Sequence, residues 1–152
     1  MWRIRRKRSE LRRRALQNVD VLVIDETDAT ADLTLLGIRR AAPSAQVVRF
    51  RDATKALRFV LLAESCPDLI LLDLGTPIDS GLRVLEQLRS IPRTSTIPVV
   101  VLTTIRDASA VAATEALGAN AYIAKPTTRE EYCAQMKNIV KRWLTEKWKP
   151  AN

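Results

Sequence analysis

Apolar residues in this chain fall into two alternating kinds of segment. The first kind is short and unbroken: Val21-Leu22-Val23-Ile24, Leu69-Ile70-Leu71-Leu72, Val99-Val100-Val101-Leu102 and Ala121-Tyr122-Ile123-Ala124. Runs of this length with no polar alternation are those of strands buried on both faces. The second kind spaces its apolar positions by three and four, as one face of a helix requires. Read in order, the pattern predicts a strand over 19–25 and a helix over 29–42, capped by Thr27 or Asp28 and followed by Pro43. A strand over 46–50 comes next, then a helix over 52–63 with Ala56, Leu57, Val60 and Leu61 on one face. Pro67 precedes the third strand. A helix over 81–90 turns Leu82, Leu85 and Leu88 inward, and the fourth strand covers 97–103. Asp107 caps a helix ending at Leu117-Gly118, a fifth strand covers 119–124, and a long last helix runs from Thr128 to about Trp148. This alternation predicts an α/β fold, a doubly wound five-stranded parallel sheet with helices on both faces.

Parallel strands place their carboxyl ends along one edge, where open α/β sheets bind ligands. What stands at those ends is therefore informative. The first strand ends on Asp25-Glu26, the third on Asp73, the fourth on Thr103 and the fifth on Lys125-Pro126. Acids at the ends of buried strands are costly unless exposed, paired or bound to a cation. Three acids, a hydroxyl and an ammonium on one edge suit a divalent cation and a phosphoryl group. The four glycines, Gly37, Gly75, Gly81 and Gly118, form neither a dinucleotide fingerprint nor a phosphate-cradling loop. Function is therefore expected from side chains.

Composition narrows this further. The chain has no His, which removes His-based triads and imidazole zinc sites. Its two cysteines, Cys66 and Cys133, read as reduced packing residues of a cytosolic protein. No apolar stretch nears the roughly 18 residues that span a bilayer. Of the net charge of +8, seven units fall on residues 1–18, where eight Lys and Arg meet only Glu10. The remainder is nearly neutral, so a nucleic-acid or membrane-surface role is an expectation for the basic extension 1–18 alone. The expected layout is that extension, one domain over 19–148 and a short tail over 149–152.

The spacing of the edge residues carries a resemblance. Thr103 follows Asp73 by thirty residues, Lys125 follows Thr103 by twenty-two, and Pro77 and Gly81 stand four and eight residues after Asp73. The set Asp25-Glu26, Asp73, Thr103 and Lys125-Pro126, over roughly 19–142, resembles the receiver domain of bacterial two-component response regulators. The run from Ile97 to Thr104 and the Trp-bearing last helix are most similar to stand-alone regulators associated with bacterial phytochromes. The resemblance implies a flavodoxin-like fold with Asp73 as phosphoacceptor. It implies Mg²⁺ or Mn²⁺ held by Glu26, Asp73 and the Gly75 carbonyl, with Asp25 supporting from just outside or through a water. Lys125 would pair with phosphoryl oxygens, Thr103 would turn onto them beside Thr104 at the entrance, and Tyr122 would follow inward. A cis peptide is implied before Pro126.

It also implies a sensor histidine kinase as phosphodonor, with a bacteriophytochrome among the candidates, and a cytoplasmic protein that signals by contact and is not an enzyme in the ordinary sense. Only 26 residues follow Pro126, so no DNA-binding output domain is expected there. Trp143 and Trp148, with Ile139, Val140 and Leu144, predict an apolar face on the last helix for a homodimer or partner. Three positions depart from the family pattern: Thr104 narrows the entrance where a smaller residue is usual, Glu26 stands where Asp is usual, and Gly75 leaves the rim bare. Glu26 and Gly75 keep open a receiver-like interaction module that takes no phosphate.

Overall fold

The computed structural model describes residues 19–75 and 78–146. The expectations for 1–18, Trp148 and 149–152 lie outside the described residues. Five strands, β1 (Val21–Ile24), β2 (Val47–Phe50), β3 (Leu69–Leu72), β4 (Val99–Thr103) and β5 (Ala121–Ala124), form one sheet. They pair in parallel throughout, in the order β2-β1-β3-β4-β5. The helices are α1 (Asp28–Ala41), α2 (Ala53–Leu62), α3 (Asp79–Ser90), α4 (Ala108–Ala116) and α5 (Arg129–Val140). Every expected strand and helix forms, and in all but the last helix the ends move by no more than a few residues.

The three central strands are buried along their whole length, which is why they read as unbroken apolar runs. Their side chains alternate between two cores. Val21, Val23, Leu69, Leu71, Val100 and Leu102 face α1 and α5, where Ile38, Tyr132, Met136 and Ile139 meet them. Leu22, Ile24, Ile70, Leu72 and Val99 face α2 and α3, against Ala56, Leu57, Val60, Leu85 and Leu88. Leu61 departs from the expected stripe of α2 and is 38% exposed. Leu82 is only partly buried, and Val84 takes the inward place on α3.

Local chemistry closes the elements. The Asp52 side chain accepts from the Lys55 N–H at 2.9 Å to start α2. Asp107 accepts from the Ser109 N–H to start α4. Gly118, with φ +87, ends that segment, a backbone conformation that glycine enters without strain. Thr128 and Glu131 form a reciprocal capping box at α5. The backbone N–H groups of Thr127 and Thr128 donate to the Glu131 carboxylate and hold its pKa below the ordinary value. This box fixes the loop that follows Lys125.

The last helix differs from its expected form. It leaves α-geometry after Val140 and continues as a π-turn over Lys141–Thr145, where the Glu146 N–H donates to the Lys141 carbonyl at 2.9 Å. Trp143 is not an exposed partner face: it is 4% exposed and packs into the α1/α5 core with Ile139 and Val140. The sheet and α1 supply enough apolar surface to cover it, and Arg142 lies over its ring at 5.1 Å. The surface expected of Trp143 for a homodimer or partner is therefore buried within the chain.

Candidate functional site

Register brings the edge residues together. Ile24 pairs with Leu72, so Asp25 and Asp73 leave the sheet side by side, and the Asp73 N–H donates to the Ile24 carbonyl at 2.8 Å. Thr103 pairs with Ala124, and the Lys125 N–H donates to the Thr103 carbonyl at 2.9 Å. Four strand ends thus converge on one spot.

Alternation then separates the two neighbouring acids. Asp25 continues the series Val21, Val23 and turns toward α1 and α5, whereas Glu26 continues Leu22, Ile24 and turns toward α2 and α3. The Lys125 side chain lies between two carboxylates. Its Nζ donates to Asp25 Oδ2 at 2.8 Å, to Asp73 Oδ2 at 3.0 Å and to Thr30 Oγ1 at 2.9 Å. The ammonium is almost fully buried, at 3% side-chain exposure, so its desolvation is offset by these partners. Asp25 is fully engaged. Its Oδ1 accepts from the Thr27 N–H at 2.9 Å, and its Oδ2 accepts from the Thr30 hydroxyl at 2.9 Å as well as from Lys125.

On the other side lies an open pocket lined by Glu26, Asp73, Leu74, Gly75, Ser80 and Gly81, with Arg51, Asp52 and Thr54 across from them. Gly75 has φ +75, and its N–H approaches Asp73 Oδ1 at 3.4 Å. Among the described residues no three Asp, Glu or Cys side chains close into a ready ligand set. Glu26, Asp73 and Gly75 nevertheless share this pocket and present oxygen donors of the kind a hard divalent cation takes while keeping waters. Asp25 does not line it, because its carboxylate is spent on Lys125, Thr30 and Thr27. The residues that fit as direct ligands are Glu26, Asp73 and the Gly75 carbonyl, with Asp25 placed behind them.

Thr103 is buried, and its Oγ1 accepts from the Ile105 N–H at 3.3 Å. Tyr122 is half-buried, and its hydroxyl donates to the Ile105 carbonyl. Burial first, then the charges of Asp107 and Asp73, push the Tyr122 phenol above its ordinary pKa. Thr103 and Tyr122 are therefore joined through one loop residue. Thr104 is exposed at the rim.

Two contributors were not among the expected site residues. Arg49, on β2, donates through Nε and Nη2 to the Asp25 carbonyl at 2.9 and 2.7 Å and through Nη1 to Asp28 at 2.8 Å. An arginine in an otherwise apolar strand was the signal, since it must find acceptors nearby. Arg51 also reaches Asp28, and the Arg49 hydrogen bond is the leading cause of that acid's lowered pKa. Thr30 carried no sequence signal beyond its place in the first turn of α1.

A strand order of 2-1-3-4-5 with acids, a hydroxyl and a lysine gathered at the carboxyl edge defines a receiver-type signalling module. The chain belongs to the response regulator receiver domain family, which matches it over residues 21–137. It is 28% identical over 136 residues to the response regulator Rcp1 of Synechocystis sp., covering 86% of this chain and 92% of that protein. A solved structure of Mn²⁺-bound Rcp1 superposes with a TM-score of 0.75 at 28% identity, over 86% of this chain and 98% of that one. The phosphorylated cyanobacterial phytochrome response regulator RcpA superposes with a TM-score of 0.79 at 28% identity, over 88% and 99%. The transcriptional regulatory protein KdpE of Mycobacterium tuberculosis is 37% identical over 122 residues, 80% of this chain, which spans 51% of that protein. The flavodoxin-like receiver fold and the kinship with phytochrome response regulators expected from the sequence are both found. No helix among the described residues is long and apolar enough to cross a membrane.

Proposed function

We propose that this chain is a response regulator that accepts a phosphoryl group on Asp73 from the phosphohistidine of a sensor histidine kinase. The observation that carries the reading is the buried Lys125 ammonium held between Asp25 and Asp73, beside an open pocket that Asp73 shares with Glu26 and Gly75. In the transfer, an Asp73 carboxylate oxygen attacks phosphorus. The bond to the donor's imidazole nitrogen breaks, its electron pair stays on that nitrogen, and an acyl phosphate forms. Mg²⁺ or Mn²⁺, held by Glu26, Asp73 and the Gly75 carbonyl, would neutralise charge on the transferring group. Lys125, already aimed at Asp73, would exchange that contact for a phosphoryl oxygen.

Signal output follows from Ile105. When the Thr103 hydroxyl turns to the phosphoryl group, the Ile105 N–H loses its acceptor. The same residue's carbonyl holds the Tyr122 hydroxyl. A charge change at Asp73 thus biases the loop before α4 and the ring of Tyr122, and a protein partner reads the changed surface. Kinship with Rcp1 and RcpA supports a phytochrome-type kinase as the donor.

The test is intact-mass analysis after incubation with acetyl phosphate. A single phosphoryl adduct is expected with Mg²⁺ present and not after chelation, and Asp73→Asn abolishes it. An unmodified wild-type chain under these conditions would instead support an interaction module that takes no phosphate.

A further inference from the structure

Lysine's ammonium has three protons in a fixed tetrahedral fork, and in this site each has its own acceptor: Asp25 Oδ2 at 2.8 Å, Thr30 Oγ1 at 2.9 Å and Asp73 Oδ2 at 3.0 Å. If two directions of the fork are fixed, the third is fixed as well. Asp73 is the acceptor whose chemistry changes on phosphorylation, so the direction toward it is set by the other two. Asp25 supplies one of them by charge.

The other is Thr30, in the first turn of α1. Its hydroxyl both accepts from Lys125 and donates to the Asp25 oxygen that Lys125 also uses, at 2.9 Å. The alternative acceptor for that hydroxyl, the Thr27 carbonyl, lies further away at 3.3 Å, and a carboxylate is the stronger acceptor. Asp25, Thr30 and Lys125 therefore close a three-membered ring of charge-assisted hydrogen bonds. The Thr30 backbone is held in turn by the Thr34 hydroxyl, which donates to the Thr30 carbonyl at 3.0 Å. Thr34 is itself buried.

We propose that Thr30 is a positioning residue for phosphoryl transfer: its hydroxyl, locked to Asp25, aims the third proton of Lys125 at the Asp73 acceptor and so at the incoming phosphoryl oxygen. This deepens the receiver reading and rests on it for its kinetic part. Without the hydroxyl, the ammonium keeps two acceptors, swings about the Asp25 contact and meets the phosphoryl group in fewer of its orientations. Loss of a hydrogen bond to a charged group at this position corresponds to about a tenfold loss in rate.

The experiment compares wild type, Thr30→Val and Thr30→Ser. The rate of Asp73 phosphorylation by acetyl phosphate is measured at saturating Mg²⁺, and the Mg²⁺ affinity is measured separately. Thr30→Val is expected to slow phosphorylation about tenfold with Mg²⁺ affinity unchanged, and Thr30→Ser to restore the wild-type rate. Equal rates in all three chains, or a Thr30→Ser chain as slow as Thr30→Val, overturn the proposal.

A second readout needs no phosphate. The Lys125 ammonium of wild type is expected to give a resolved, slowly exchanging ¹⁵N signal in NMR spectra, which broadens in Thr30→Val and returns in Thr30→Ser. If wild type takes no phosphate but shows this signature, the receiver reading fails while the ring of hydrogen bonds stands. If wild type is phosphorylated but its ammonium exchanges as fast as a surface lysine, the positioning role fails alone. Should Thr30→Val not fold, Thr30→Ala, which also lacks the hydroxyl, takes its place in both measurements with the same expected slowing and the same overturning result.

Discussion

The carboxylate of Glu26 lies over the backbone of Gly75, so close that a Cβ added at position 75 would meet Glu26 Oε1 at 3.1 Å. These two departures from the family pattern, Glu26 and Gly75, are thus complementary. The extra methylene of glutamate carries its carboxylate into space that a side chain at position 75 would claim. Gly75 also has φ +75, which disfavours any other residue there. Gly75→Ala is therefore expected to weaken Mg²⁺ binding several-fold in the natural chain and less in a Glu26→Asp background. Calorimetric titration of the four chains of this cycle checks it; equal losses in both backgrounds would show that the pair is not coupled.

Lys125 is the counter-ion of two carboxylates in an almost dry site. Lys125→Met keeps much of the volume but leaves Asp25 and Asp73 facing each other without a cation. A loss of about 3 kcal/mol in urea denaturation is expected in metal-free buffer. Part of that loss is recovered with millimolar Mg²⁺, since a cation bound to the folded chain alone stabilises it by mass action. A Lys125→Met chain as stable as wild type without metal contradicts this arrangement.

Gly37 lets α1 approach α5. A Cβ there would stand 2.6 Å from Met136 Cγ and 2.8 Å from Met136 Cβ. Alanine is the better helix former by about 1 kcal/mol. Overpacking against a Cβ that cannot swing away costs about 1–3 kcal/mol. Gly37→Ala should therefore lower stability by roughly 1 kcal/mol, and adding Met136→Ala, which removes the Cγ contact but keeps the Cβ, should recover only part of that loss.

Tyr132 is 1% exposed, and its hydroxyl has no hydrogen-bond partner among the described residues. Burial first, then the charges of Asp25 and Asp73, push its pKa from 10.0 up to about 12. The fold favours the neutral phenol, so this contribution is complete below pH 10 and is lost as pH rises toward the folded-state value. Phenolate absorbance of Tyr132 should therefore appear only together with alkaline unfolding, and the unfolding midpoint should move upward in Tyr132→Phe. In neutral buffer that substitution removes an unpaired buried hydroxyl and should raise stability by about 1 kcal/mol. A Tyr132 that ionises near pH 10 in the folded chain contradicts this.

The strands and the residues at their ends were legible because a parallel sheet buried on both faces leaves the simplest trace a sequence can carry: unbroken apolar runs that stop at a charge. The strand pattern places Asp73 and Lys125 on one edge, and their roles there follow from the family resemblance. Other features turn on geometry that linear order does not record. Trp143 read as exposed because the sequence does not show how far the α1/α5 core extends, and the π-turn that holds it has no composition cue. Asp25 and Glu26 are adjacent, yet alternation sends one to the lysine and the other to the open pocket. Thr30 joins the site only because the first turn of α1 starts directly beneath it. Arg49 was the more readable omission, a lone cation in an apolar strand.

Asp73 is the residue expected to carry the phosphoryl group. Borohydride reduces an acyl phosphate of aspartate to homoserine, marking the modified residue permanently. After treatment of the chain with acetyl phosphate and Mg²⁺, reduction and peptide sequencing by mass spectrometry should find homoserine at position 73 alone, and none when Mg²⁺ is withheld. A reduced residue at Asp25 or Glu26, or an unaltered Asp73 in a chain that has gained phosphate, would contradict the account.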